Sequence, residues 1–566
     1  MINLRFWRSK RKSLLLLISP FLIIYFSTPE LRAQLDSGNP NAPDLEQIIQ
    51  VPQSPEAAAF AKYGEVPVSM YTGTPQISVP LPTISGREIS LPLSLTYDAS
   101  GIRVDQMATW VGLGWNLNAG GAVTRQVAGI PDGYGTPGFR IFDPEMIEFM
   151  ELLKQHDIAA ETYVPSKLMD KYLEVFQYQW SQDADIQPDI YSFSANGLSG
   201  TLYIDYVNNK AYCVENPSLK VEFDFDSSRV ESNMLRSWKI TAEDGSVYVF
   251  AEQEITKHYY SEANTPEFIR DYTSAWYLTE IISASGKDVV TFYYSTPQDW
   301  QYPQPLTQYL SGMSSIVAPH GTNSACQPSN SYSVSGSAAY RIAQFYLQSI
   351  ALNNRNVAIF HTGTERKDLK GRKKLSSIDF YDIGGNAIIS QVELDNDSYF
   401  GNAADTSAEN SEYLVRLKLD KVTFIDKVAL KEGGELINDA LVYTFDYIDP
   451  SNIPQRTTYG VDYWGYYNGM EENSDLIPRL VLDDETVLEG ANRTPSLAHT
   501  QIGTLRSISY PTGGHSEFYY SLHSAPPAQS SSIQQLQESV LSLTGGEDAS
   551  DPYDYCDDIG SIPPMG

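Results

Sequence analysis

The sequence predicts a mainly β protein, built of antiparallel, hairpin-rich sheets arranged as a β-sandwich or a curved sheet, with one small helical insertion. Three observations lead there. Tyrosine is in excess, 38 residues against 21 Phe and 8 Trp in a chain of 566, which suits half-exposed strand faces where the ring packs and the hydroxyl stays wet. Runs of β-formers recur around glycine turns. Helical periodicity is confined to two places.

Residues 1–33 read as a secretory signal peptide, because Arg5, Arg8, Lys10, Arg11 and Lys12 stand directly ahead of the apolar run Leu14 to Phe26. Pro20 interrupts that run and Pro29 closes it, so it is too short and too broken for a spanning helix. Leu31-Arg32-Ala33 supplies a cleavage end before Gln34. The expectation is export through a cleaved signal to the cell surface or the medium, with no transmembrane segment in the mature chain; an uncleaved anchor is the competing reading. No cysteine follows at the cleavage end, which argues against a lipid anchor.

Removing residues 1–33 takes away six of the 39 basic and one of the 70 acidic residues, leaving 33 against 69. A field that acidic repels nucleic-acid phosphates and anionic membranes, so nucleic-acid binding is set aside. The three cysteines, Cys213, Cys326 and Cys556, are too few for a disulfide-built fold, although one pair can form after export.

A Pro/Asn/Asp/Gln-rich extended leader occupies residues 34–65, and an N-terminal β region follows over 66–140. There Ile77, Val79 and Leu81 alternate with polar residues or proline, Ser85-Gly86 turns the chain, and Ile89, Leu91, Leu93 and Leu95 alternate again. That is a hairpin signature. Pro80, Pro82 and Pro92 remove ladder donors, which places at least one of its strands at an edge. Next comes the least ordinary stretch of the chain, Trp110-Val111-Gly112-Leu113-Gly114-Trp115 through Gly120-Gly121. Glycines beside two tryptophans require a sharp turn or a close approach to an indole face, and Gly112, Gly114, Trp115, Gly120 and Gly121 are its candidate structural residues. Tight packing is preferred here over a ligand site, because the spacing fits no phosphate loop.

A helical insertion is predicted over 141–184. Asp143 can cap a helix that has Pro144 at its first position and Ile147, Met150 and Leu153 on one face, and Ser166 opens a second one. The chain returns to β-hairpins over 185–300 and 341–525, separated by a polar surface loop over 301–340. Hairpins turn at Asp244-Gly245, Ala284 to Lys287, Gly384-Gly385 and Pro511 to Gly514, with β-formers on both arms. Units of this kind argue for hairpins stacked into a sheet, each completing the face of its neighbour. Residues 526–566 read as a short amphipathic helix followed by an acidic tail.

No catalytic constellation appears, neither a nucleophile elbow nor a zinc-protease helix nor a nucleotide-binding loop. The seven histidines, His156, His258, His320, His361, His499, His515 and His523, are scattered without ligand spacing. No cofactor is predicted. Asp483-Asp484-Glu485 and the tail carboxylates are of the type that binds calcium, yet lack the loop pattern, and a solvated acidic face is preferred. A glycosidase pair of carboxylates cannot be nominated from so many acids.

Several stretches resemble the amino-terminal region of bacterial RHS/YD-repeat proteins: Glu65 to Ser69 with Tyr71-Thr72-Gly73, Leu91 to Tyr97 with Ala99 to Ile102, and above all Gly112 to Gly121. Gln187 to Phe193, Asn196 to Gly200 and the Trp276 hairpin are similar to the same region. The Gly-Leu-Gly-Trp segment is also similar to the amino-terminal part of insecticidal toxin-complex B components. The resemblance implies a leading segment of a β-sheet shell, with other segments or chains of a larger assembly as partners. Only Tyr381 to Asn386 approaches a tyrosine-aspartate repeat, and no repeat array or toxin domain is seen before Gly566. The expectation is a non-enzymatic scaffold segment, toxin-related or at the cell surface. A secreted protein that binds glycans or surface proteins through exposed aromatics is the alternative, and a glycoside hydrolase or lyase is ranked behind it.

Overall fold

The computed structural model describes most of residues 68–523; outside it lie 1–67, 524–566 and internal stretches, chiefly 133–143, 156–187, 226–234, 261–267, 303–338, 428–439 and 482–486, apart from short pieces within them. The predicted signal peptide, leader, second helix, terminal helix and acidic tail therefore fall outside the described residues. So does the Asp483 acidic run.

The first predicted hairpin is present in nested form. Strands β1 (Ile77–Pro80) and β4 (Ser94–Tyr97) pair antiparallel, Ile77 opposite Tyr97, and within them β2 (Ile84–Ser85) meets β3 (Ser90–Leu91). Adding β5 (Trp115–Asn118) to β4 leaves β1 as an edge, where Pro80 costs no ladder bond. Inward residues Ile77, Val79, Leu91, Leu93 and Leu95 are all buried, as the alternation requires.

An eight-stranded barrel follows. It runs through β6 (Gly121–Gln126), β7 (Ile190–Ala195), β8 (Leu198–Asp205), β9 (Lys210–Cys213), β10 (Lys220–Phe225), β11 (Leu235–Thr241), β12 (Val247–Tyr260) and β13 (Phe268–Ile282). Each strand pairs antiparallel with the next, and β13 returns to β6 with Trp276 opposite Val123, which closes the cylinder. Eight strands enclose an interior that side chains can fill or that can hold one small ligand. Trp238 and Trp276 fill that interior, both fully buried and edge-to-face with centroids 6.1 Å apart, and Tyr191 lies 5.0 Å from the first and 5.9 Å from the second. The helix α1 (Pro144–Gln155) enters between β6 and β7 with Pro144 at its start, as predicted. Met146 and Phe149 are buried and Ile147 is half-buried, while the side chains of Met150 and Leu153 from the predicted stripe lie outside the described residues.

Strands β12 and β13 are shared. Beyond the β6 contact, β13 pairs through Glu280–Ile282 with β14 (Val289–Tyr294), while the far half of β12 pairs with β18 (Ala339–Gln344), which also receives β15 (Gln298–Tyr302). A long antiparallel sheet grows from β14 through β19 (Leu347–Leu352), β20 (Arg355–Glu365), β21 (Lys373–Tyr381), β22 (Ile388–Asp395), β25 (Lys421–Asp426), β26 (Leu441–Tyr447), β29 (Leu505–Ser509) and β30 (His515–Glu517). Three small ribbons complete the strands of the described residues: β16 with β17 at Tyr309–Leu310 and Tyr332–Ser333, β23 with β24 at Ser398–Phe400 and Arg416–Lys418, and β27 with β28 at Leu480–Val481 and Val487–Leu488.

The fold is thus mainly β, antiparallel and hairpin-rich, with all four predicted glycine-turn hairpins in place. Gly245, Gly286, Gly385 and Gly513 have positive φ, which explains why their turns require glycine. Closure into a barrel is the feature that neither a sandwich nor an open curved sheet anticipates. One continuous apolar cluster, from Ile77 to Ile508, joins the N-terminal strands, the barrel and the long sheet.

Candidate functional site

The segment around Trp115 is prepared by the loop before it. Residues 103–109 contain no regular ladder, so their carbonyls need partners from elsewhere. Three buried arginines provide them. Arg416 Nη2 donates to the Val104 carbonyl at 2.9 Å, Arg456 Nη2 to Asp105 at 3.2 Å, and Arg366 donates through Nη1 to Thr109 and through Nη2 to Ala108 at 2.9 and 3.0 Å. The rigid fork of guanidinium suits this work better than an ammonium does. Asp368 balances the charge by pairing with Arg366 and accepts the Leu417 amide at 2.9 Å. Burial, with Arg456 nearby, lowers the Arg416 pKa to about 9.

Beyond that loop the chain threads beneath the long sheet. Trp110 gives its carbonyl to the Leu375 amide at 2.8 Å, Val111 gives its own to Asn396 Nδ2 at 3.1 Å, and the Leu113 amide donates to Leu417 at 2.9 Å. Trp115 ends fully buried. Its ring lies 4.5 Å from Phe445 and 5.3 Å from Tyr97, and its Nε1 donates to Tyr447 Oη at 2.9 Å. Tyr447 in turn donates to the Leu419 carbonyl at 2.6 Å. Burial pushes the pKa of both Tyr97 and Tyr447 far above the phenol range, so both rings stay neutral.

The glycines divide sharply. A Cβ on Gly114 would stand 2.6 Å from the Tyr97 ring, at a φ of +77°. One on Gly112 would stand 3.1 Å from the Leu419 amide nitrogen, and one on Gly121 2.5 Å from the Ser194 carbonyl across the β6–β7 ladder. Gly120 is different. Its nearest neighbour would be Tyr294 Oη at 3.8 Å, ordinary contact, so the structure does not require glycine there. The motif residues are therefore brought together for packing, with Gly120 as the exception.

Other predicted groups stay apart. His361 Nε2 lies 2.8 Å from Asp379, whose second oxygen accepts from Gln391 at 2.8 Å, an exposed histidine against a buried carboxylate. His499 Nδ1 meets Ser496 Oγ at 2.8 Å. Among the described residues, no three His, Cys, Asp or Glu side chains gather as a metal site would need. Cys213 is buried and unbridged, while the other two cysteines lie outside the described residues.

A site that the sequence reading missed lies beside the arginine-held loop. A cleft of about 470 Å³ opens between residues 98–107 and Tyr466, lined by Asp98, Ser100, Arg103, Asp105 and Gln106. Tyr466 ends the turn at 462–466, which also carries the exposed Tyr463 and Trp464. The signal available in the sequence was Asp462 two residues before Trp464-Gly465, a pattern in which the carboxylate bonds its own backbone and the glycine tightens the turn. Among the described residues, no helix is long and apolar enough to cross a membrane. No family model and no curated protein sequence matches this chain.

Proposed function

We propose that the chain is a non-enzymatic scaffold segment of an exported protein resembling the RHS/YD-repeat type, working as part of a larger β assembly with other segments or chains. The observation that carries this reading is the use made of the Gly-Leu-Gly-Trp segment. Its tryptophan and glycines are absorbed into contacts that pin β4, β24 and β26 together, and Trp115 meets Tyr447 across 332 residues of chain. Buried charge is spent in the same way, since Arg366, Arg416 and Arg456 all donate to main-chain carbonyls of one loop. Side chains committed to holding backbone are unsuited to turnover, which needs groups aimed at a reacting atom.

The test is the native product. An antibody raised against residues 66–125, used on culture medium and cell envelope, is expected to recover this segment in a species much heavier than the 63.1 kDa of the whole chain. Recovery of a lone chain in no complex would overturn the assembly. Hydrolase activity in the purified protein, abolished by one substitution, would overturn the scaffold.

A further inference from the structure

We infer that the cleft at residues 98–107, together with the aromatic turn at 462–466, is a binding site for a neutral, hydroxyl-rich oligosaccharide. This is independent of the scaffold reading.

The turn is built to present its rings. Tyr463 and Trp464 are 61% and 62% exposed, the rings nearly perpendicular with centroids 6.3 Å apart. Surface aromatics usually gain by folding back onto the protein, so a loop that keeps two of them outward needs a rigid base. That base is present. Asp462 is buried and accepts the Trp464 and Tyr466 amides, both at 2.9 Å. Arg493 clamps the underside, donating to Val461 at 3.0 Å, to Leu476 at 2.8 Å and to Asp462 at 2.5 Å, with its guanidinium 5.4 Å from the Tyr463 ring centre. Gly465, at a φ of +93°, tightens the turn, and its carbonyl accepts the Val104 amide at 2.9 Å.

The last residue of the turn, Tyr466, forms part of the cleft wall. Tyr466 packs against Gly101, where a Cβ would stand 2.8 Å from the ring, and its hydroxyl donates to the Ser100 carbonyl at 3.1 Å. Trp464 is thus two residues from a ring that lines the cavity. An aromatic face beside carboxylates, an amide and a guanidinium is the chemistry that recognises a sugar: the ring covers the C–H face, and the polar groups meet the hydroxyls. The volume is in the range of small-molecule sites. Preformed rings bind with little further loss of side-chain freedom.

Charge narrows the ligand class. Asp98 and Asp105 both line the cleft against the single cation Arg103, within a chain of formal net charge −31. Anionic glycans are disfavoured by that field.

The test uses the full mature chain on an array of neutral glucan, galactan and mannan oligosaccharides, with heparin as the acidic control, followed by titration of the best neutral hit. Trp464→Ala is expected to weaken binding roughly tenfold or more and Trp464→Phe to restore most of it, both at unchanged melting temperature. Trp464 is exposed, so neither variant endangers the fold. No neutral hit, preference for heparin, or binding unaffected by Trp464→Ala would each overturn the assignment. A protein held through Trp464 in place of any glycan would overturn it in favour of protein docking.

Discussion

Trp115 Nε1 donates to Tyr447 Oη at 2.9 Å, and the same hydroxyl passes its own proton to the Leu419 carbonyl at 2.6 Å, so one phenol joins β5, β26 and the turn before β25. Removing the hydroxyl leaves a buried donor and a buried acceptor unmet. Tyr447→Phe is expected to cost about 1–3 kcal/mol, and Trp115→Ala about 3–5 kcal/mol through the cavity it leaves. Denaturant unfolding of both variants, of Trp115→Phe and of Trp115→Phe/Tyr447→Phe checks this, with the double variant costing less than the sum of Trp115→Phe and Tyr447→Phe.

Gly114 and Gly120 offer an internal contrast. Gly114→Ala must displace the Tyr97 ring at a strained φ, and a loss of about 1–3 kcal/mol is expected. Gly120→Ala meets nothing closer than 3.8 Å and should stay within about 0.5 kcal/mol of the parent. Equal melting temperatures for the two variants would contradict the packing described for this segment.

Glu254 gives a pH dependence of one sign. Burial raises its pKa above 4.5, against the lowering effect of hydrogen bonds from Tyr277 at 2.8 Å and Ser274 at 3.1 Å and of the Arg372 charge. The native state then holds a proton that the unfolded chain has lost. Its stabilising share is complete below 4.5 and disappears as pH rises through the raised value. Glu254→Gln keeps the neutral form, so its melting temperature should exceed that of the parent at pH 8 by more than it does at pH 4.

Asp288 has the opposite sign. It accepts the Glu88 amide at 2.6 Å, the Ile89 amide at 3.2 Å and Asn353 Nδ2 at 3.2 Å, and these bonds, led by Glu88, hold its pKa below 3.8. Its stabilising share is complete above 3.8 and falls away as pH drops through the depressed value. In Asp288→Asn the acid limb of the stability profile should flatten, read by thermal unfolding between pH 2 and 5.

The hairpins were legible because glycine at the turn and alternation on the arms are local, as at Trp238 to Phe250 and Leu505 to Tyr510. Barrel closure was not. The Val123–Trp276 pairing depends on strand tilt and stagger summed around eight strands, and no window of sequence contains that quantity. The packing role of Gly112, Gly114 and Trp115 followed from composition, while Gly120 looked the same and proved replaceable in space. The aromatic turn was missed for a related reason. Trp464-Gly465 and Gly114-Trp115 have the same composition, and only their surroundings turn one ring outward and the other inward.

Because β6 finds its second neighbour only in β13, about 150 residues later in the chain, the barrel has a timetable. At ribosomal rates of about 5–20 residues per second, roughly 8–30 s pass between the making of Val123 and that of Trp276. Throughout that interval the cylinder is an unfinished ribbon with the face that will become its interior turned to water, and late, non-local closure makes it a slow folder. A nascent chain of this design remains threadable, and open to a holding chaperone, until its last staves arrive.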